Sequence, residues 1–198
     1  MGAALKIEPI AVEDYLAGEL ISQAKHEYVG GWVYAMAGAN NAHNQIASNV
    51  LIALGSRLRG NRCRAFNSDT KIRVRFPNHT RFYYPDASVV CRLNAPTDSF
   101  QDDPAVIVEV LSQRTRRIDE GEKKDAYFAL PSLSVYLLVE QDFAAVVAYR
   151  RTDAGFVREV YADPDAVISL PEIGAELPLA EVYDGVEFTS EIDDDAEL

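Results

Sequence analysis

Two stretches decide the fold: Phe82-Tyr83-Tyr84-Pro85-Asp86-Ala87-Ser88-Val89-Val90 and Ala105-Val106-Ile107-Val108-Glu109-Val110-Leu111. Each reads as a buried β-strand interrupted by one carboxylate, and the two carboxylates are 23 residues apart. A charge in such surroundings loses several kcal/mol of solvation unless it is paired, neutralised or bound to a metal. With a side-chain period of two, Asp86 shares a face with Tyr84 and Ser88, and Glu109 shares one with Ile107 and Leu111. If the two strands pair, the carboxylates can converge. Converging oxygen ligands suit Mg²⁺ or Mn²⁺, which can activate water against a phosphodiester. Each carboxylate can equally be salt-bridged within the fold.

Outward from this pair, the chain reads as one domain spanning residues 1–198, with a core over about 10–185. Val12 to Leu20 suits a short helix, and Glu27 to Ala37 a β-hairpin or a bent strand pivoting on Gly30-Gly31. Asn40 can cap a helix whose apolar stripe runs through Ile46, Val50, Leu54 and Leu58 and ends at Gly60, with His43 in its first turn. Strands are predicted over 63–67, 70–76, 82–91 and 105–111. Asp119-Glu120-Gly121-Glu122 has the pattern of a capping box opening a helix to Leu130, on which Asp119, Lys123 and Tyr127 share one face. Short strands follow over 133–139, 144–151, 156–161 and 167–170. The acidic tail, 190–198, is predicted to be disordered.

Composition excludes some classes. The chain is 48% hydrophobic and 25% charged, as in an ordinary globular protein. It has neither an apolar run of the ~20 residues that a membrane span needs nor a secretory leader pattern, so a cytoplasmic location is expected. There Cys63 and Cys91, too far apart in sequence for a close-spaced metal motif, would stay reduced and serve packing. The net charge of -12 argues against nucleic acid, yet residues 140–198 hold 16 acidic and 3 basic residues, leaving 15 acidic and 16 basic in the rest. Between Arg57 and Arg81 stand eight basic residues against Asp69 alone. Lys71, Arg73 and Arg75 alternate with Ile72, Val74 and Phe76, forming either a solvated strand face or a surface that tracks phosphates.

The Pro85-Asp86 pair followed by a strand glutamate and a helix resembles the PD-(D/E)XK nuclease superfamily. Glu27-Tyr28-Val29, Val33 to Gly38, His43-Asn44, Ser68-Asp69, Tyr84-Pro85-Asp86, Val108 to Ser112, and Asp119 through Lys123 to Tyr127 together resemble its Uma2 branch, also called DUF820. The resemblance implies an α+β, restriction-endonuclease-like mixed sheet flanked by helices, here with an N-terminal hairpin and C-terminal strands added. It implies an endonuclease acting on DNA, Mg²⁺ or Mn²⁺ on Asp86 and Glu109, and a possible homodimer. The superfamily's strand lysine falls at Leu111, so the resemblance points to Lys123 on the helix as its replacement, with Lys124 as the alternative. Glu27 and His43 match positions that border the same site. Leu111 and the overall acidity also permit an inactive nuclease-fold module that binds or regulates. Glycoside hydrolysis by two carboxylates would need more aromatic lining than Tyr83 and Tyr84 supply.

Overall fold

A computed structural model describes residues 8–188. The architecture is α+β, with mixed sheets flanked by helices, as expected. The elements run α1 (Val12–Glu19), β1 (His26–Val29), β2 (Trp32–Ala35), α2 (Asn41–Arg57), β3 (Arg64–Asn67), β4 (Lys71–Arg75), β5 (Thr80–Tyr83), β6 (Ala87–Val90), β7 (Phe100–Gln101) and β8 (Pro104–Leu111). Then come α3 (Arg116–Ile118), a π-helical turn (Asp119–Lys123), α4 (Lys124–Phe128), β9 (Val135–Glu140), β10 (Val146–Thr152), β11 (Gly155–Tyr161), β12 (Val167–Leu170), β13 (Ala175–Pro178) and α5 (Leu179–Val182). The predicted acidic tail lies outside the described residues.

A six-stranded sheet, ordered β11-β10-β9-β8-β6-β3, forms the centre, and β8 and β9 are its one parallel pair. Parallel neighbours need a crossover, which α3, the π turn and α4 provide. Valines 106, 108 and 110 point to the side covered by α2, β12, β13 and α5. Asn40 caps α2 as predicted, its side chain accepting from the His43 N–H at 2.9 Å. Ile107 and Leu111 point the other way, onto α4 and the inner face of a five-stranded sheet ordered β2-β1-β5-β4-β7. The outer face of that second sheet carries α1, with Tyr15 stacked on Tyr28 and beside Phe82.

Three expectations are corrected. Residues 82–91 are two strands, not one: Phe82 and Tyr83 end β5 in the five-stranded sheet, and Ala87 to Val90 form β6 in the six-stranded one. Pro85-Asp86 is the corner between the sheets, where proline's missing N–H suits a break in the ladder. The helix at Asp119 begins earlier, at Arg116, so Asp119 is inside a π turn rather than at a cap. Cys63 and Cys91 are joined in a disulfide, Cα–Cα 3.9 Å, rather than being free packing thiols. The reason is register: Arg64 pairs with Val90, and one step outward sets the cysteines opposite each other.

Candidate active site

Glu109 projects from β8 on the Ile107–Leu111 face and is buried. The crossover returns Lys123 above it, with Nζ 3.3 Å from Glu109 Oε1. The same ammonium is 3.0 Å from Glu27 Oε1, on β1 of the other sheet, and 3.3 Å from Asp119 Oδ1, four residues back on its own turn. Tyr127, one turn on, donates its hydroxyl to Glu109 Oε1 at 3.0 Å. Asp119, Lys123 and Tyr127 thus share the face that their spacing predicts. Lys123 is carried on the π turn, a local widening of the helix that recurs at functional sites. Tyr136 on β9 holds the turn by donating to the Asp119 carbonyl at 3.0 Å.

Asp86 sits at the inter-sheet corner. The register Ala87 to Val108, extended by one residue, sets it beside Glu109. Its Oδ2 accepts from the Val110 N–H at 2.7 Å, so the side chain takes the place of a ladder carbonyl. From the opposite side His43, in the first turn of α2, brings Nε2 to 3.3 Å of the same oxygen. The Asp86 side chain keeps 17% of its surface exposed, which makes it the wetter of the two strand carboxylates.

The electrostatics follow from four carboxyl groups around one ammonium. Burial pushes the Glu109 carboxyl well up; Lys123 opposes this, and Asp119, Asp86 and Glu27 add to it. Burial likewise raises Asp119 against the pull of Lys123. Burial alone would lower Lys123, but Glu109, Glu27 and Asp119 outweigh it and hold its pKa well above the ordinary lysine value. Burial also disfavours charge on His43, and the hydrogen bond and charge of Asp86 reverse that, leaving the imidazole raised.

A divalent cation fits this donor set in its chemistry. The ligands are hard oxygens, their negative charge exceeds the ammonium, and buried Glu27 Oε1 and Asp119 Oδ1 have no hydrogen-bond donor, only the ion pair to Lys123. Among the described residues, no three of His, Cys, Asp and Glu are arranged to enclose a metal ion. Lys123 instead lies within 3.0 to 3.3 Å of Glu27, Glu109 and Asp119.

The basic stripe lies elsewhere. Arg73 pairs with Phe82, and Phe82 with Tyr28, so Lys71, Arg73 and Arg75 project on the α1 side of the five-stranded sheet, away from Glu27. Buried Lys71 donates to the Tyr84 hydroxyl at 3.1 Å, and Arg73 forms a two-pronged pair with Asp102, both contacts at 2.7 Å. Arg75 alone of the three is mostly exposed, its side chain at 62%. Lys124, the alternative to Lys123, lies over the Tyr149 ring at 5.5 Å instead. Two members of the cluster were not singled out as site residues from the sequence, Asp119 and Tyr127. Their spacing of four around Lys123 was the available signal.

An α+β chain with mixed sheets flanked by helices, and with acidic residues from adjoining strands meeting a lysine, is of the restriction-endonuclease-like class. The chain belongs to the Uma2 family, described as "Putative restriction endonuclease", which matches residues 12–180. Among its relatives is the "uncharacterized protein slr1290" of Synechocystis sp., 31% identical over 180 residues, covering 90% of this chain and 94% of the relative. The "uncharacterized protein sll1609" of the same organism is 28% identical over 145 residues, covering 72% of this chain and 81% of that one. In fold, the chain resembles the crystal structure of a "putative nuclease belonging to DUF820" from Anabaena variabilis. The TM-score is 0.66 at 21% identity, over 88% of this chain and 98% of that one. Among the described residues no helix is long and apolar enough to cross a membrane.

Proposed function

We propose that the protein is a metal-dependent nuclease that hydrolyses DNA phosphodiester bonds at the Asp86–Glu109–Lys123 centre. The observation that carries this reading is the position of Lys123. Leu111, where the superfamily pattern has its lysine, is fully buried, and the crossover supplies an ammonium 3.3 Å from Glu109 instead. Asp86 and Glu109 would hold Mg²⁺ or Mn²⁺, which when bound supplies Lewis acidity toward a phosphate oxygen and a more acidic water. Lys123, kept charged by three carboxylates, donates hydrogen bonds to the attacking water or offsets charge developing on the phosphate. Tyr127 and the Val110 N–H fix the orientation of Glu109 and Asp86. Glu27 and His43 border the centre and set its charge.

The test is cleavage of single-stranded and duplex DNA with Mg²⁺ or Mn²⁺. Asp86→Asn, Glu109→Gln and Lys123→Met should each slow cleavage by about a hundredfold or more while far-UV circular dichroism is unchanged. Lys124→Ala should leave the rate near that of the unmodified protein. If Lys123→Met cleaves normally, the lysine is an ordinary buried ion pair. A second reading, an inactive nuclease-fold module, draws on Leu111 itself. DNA binding by the unmodified protein without cleavage under any divalent metal would favour it and end the nuclease proposal.

A further inference from the structure

A single ammonium holds three carboxylates together where the two sheets meet. Lys123 Nζ is 3.0 Å from Glu27 Oε1 on β1, 3.3 Å from Glu109 Oε1 on β8 and 3.3 Å from Asp119 Oδ1 on the π turn, and none of the four side chains is more than 15% exposed. A charge-assisted N–H···O bond is ordinarily about 2.7 to 2.9 Å long. All three contacts exceed that, as expected when one point charge is shared by acids that different elements hold in place. Glu27 Oε1 and Asp119 Oδ1 have no hydrogen-bond partner besides this ion pair. Lys123 is therefore the counter-ion of the cluster, and a loosely fitting one.

The same acids suit a divalent cation. Tyr127 and Lys123 both use Oε1 of Glu109, so a cation held by Asp86 and Glu109 would share that carboxyl group with the ammonium. Two like charges so close, in a site where burial weakens screening, repel strongly. Mg²⁺ carries twice the charge of the ammonium and approaches oxygen to about 2.1 Å, so the acids favour it. The lysine stem is flexible and can yield, whereas Glu109 is fixed on its strand. We propose that the Lys123 ammonium and a divalent cation are alternative counter-ions of Glu109: the lysine neutralises the acids until the cation binds, and is then released from them. This rests on the nuclease reading for the identity of the cation. It adds that Lys123 becomes available to a substrate phosphate only in the metal-loaded protein.

Acylation of lysines by an N-hydroxysuccinimide ester, read by peptide mass spectrometry, follows the ammonium in the unmodified full-length protein. In EDTA, Lys123 should be protected, since it is buried and the three acids keep it charged. Saturating Mn²⁺ should raise its acylation about tenfold, while Lys25, partly exposed and paired with Asp69, should not change. By calorimetric titration, Lys123→Met should bind Mn²⁺ about tenfold more tightly than the unmodified protein. The acylation measurement needs no variant, so it decides even where Lys123→Met folds poorly. Equal protection of Lys123 with and without Mn²⁺, or a folded Lys123→Met that binds no more tightly, would place lysine and metal side by side and overturn the proposal. Failure of Mn²⁺ to bind either protein would overturn it together with the nuclease reading. Release of Lys123 by Mn²⁺ without DNA cleavage under any divalent metal spares the proposal and ends the nuclease reading; cleavage with Lys123 still protected does the reverse.

Discussion

At the scale of single residues, the clearest electrostatic consequence outside the site concerns Glu19, at the C-terminal end of α1. Its carboxylate, only 5% exposed, accepts from the Tyr84 hydroxyl at 2.8 Å, from the His26 N–H at 3.2 Å, and pairs with His26 Nδ1 at 2.7 Å. Burial opposes its ionisation, but those donors prevail and its pKa is lowered. Lys71 on β4 reaches the same tyrosine, and Tyr15 ties α1 to the His26 carbonyl at 2.6 Å. The network thus clamps α1 to the residue preceding the Pro85-Asp86 corner. A carboxyl whose folded pKa is depressed contributes stability above its unfolded value, near 4.5, and that contribution is lost as pH falls through the folded value. Glu19→Gln should therefore lower stability at pH 7 by about 1.5 to 3 kcal/mol and flatten the decline as pH falls below about 4.5, as urea unfolding across the acid range would measure. Parallel acid limbs for the two proteins would show that Glu19 is not a source of that decline.

At the scale of elements, local rules were legible and tertiary ones were not. The α2 cap at Asn40, the hairpin on Gly30-Gly31 and the Asp119, Lys123, Tyr127 face follow from signals a few residues long, and each stands in the structure. The break at Pro85-Asp86 was hidden because apolar residues flank it on both sides, so nothing local marks the passage from one sheet to another. Asp119 imitated a cap because a cap and a buried carboxylate facing Lys123 share the same letters. The basic alternation of β4 was read correctly, but which face it occupied depended on pairing with β5. The disulfide was out of reach for the same reason, since a separation of 28 residues says nothing about register. It ties β3 to β6, the strand that follows the Pro85-Asp86 corner. Closing a loop of that length should stabilise by about 3.6 kcal/mol in the chain-entropy account. The denatured, unreduced protein should show no reactive thiol among Cys63 and Cys91, and Cys63→Ser with Cys91→Ser should lower the urea midpoint accordingly. Two thiols titrating without reductant would return the pair to the packing role read from the sequence.

At the scale of the whole molecule, the candidate site is the point where both sheets and the crossover meet. Glu27 comes from one sheet, Glu109 from the other, Lys123 from the π turn, and Asp86 from the corner joining the sheets. Each layer contributes a charge, and the sum is negative. Burial first, and then the neighbouring Asp119, Asp86 and Glu27, push the Glu109 carboxyl up despite Lys123, a strain at the centre that a proton or a cation can relieve. Unfolding separates these groups, so a cation that needs all of them binds the folded state alone and stabilises it by mass action. At tenfold excess over its dissociation constant that is about 1.4 kcal/mol, which for a chain of this size raises the melting temperature by about 4 °C. Mg²⁺ or Mn²⁺ should produce such a shift, EDTA should reverse it, and both Asp86→Asn and Glu109→Gln should abolish it. Those variants leave the acidic segment after residue 140 untouched. A shift that persists in them would therefore place the cation on that segment, and the carboxylate centre would then be relieved by a proton rather than by a metal.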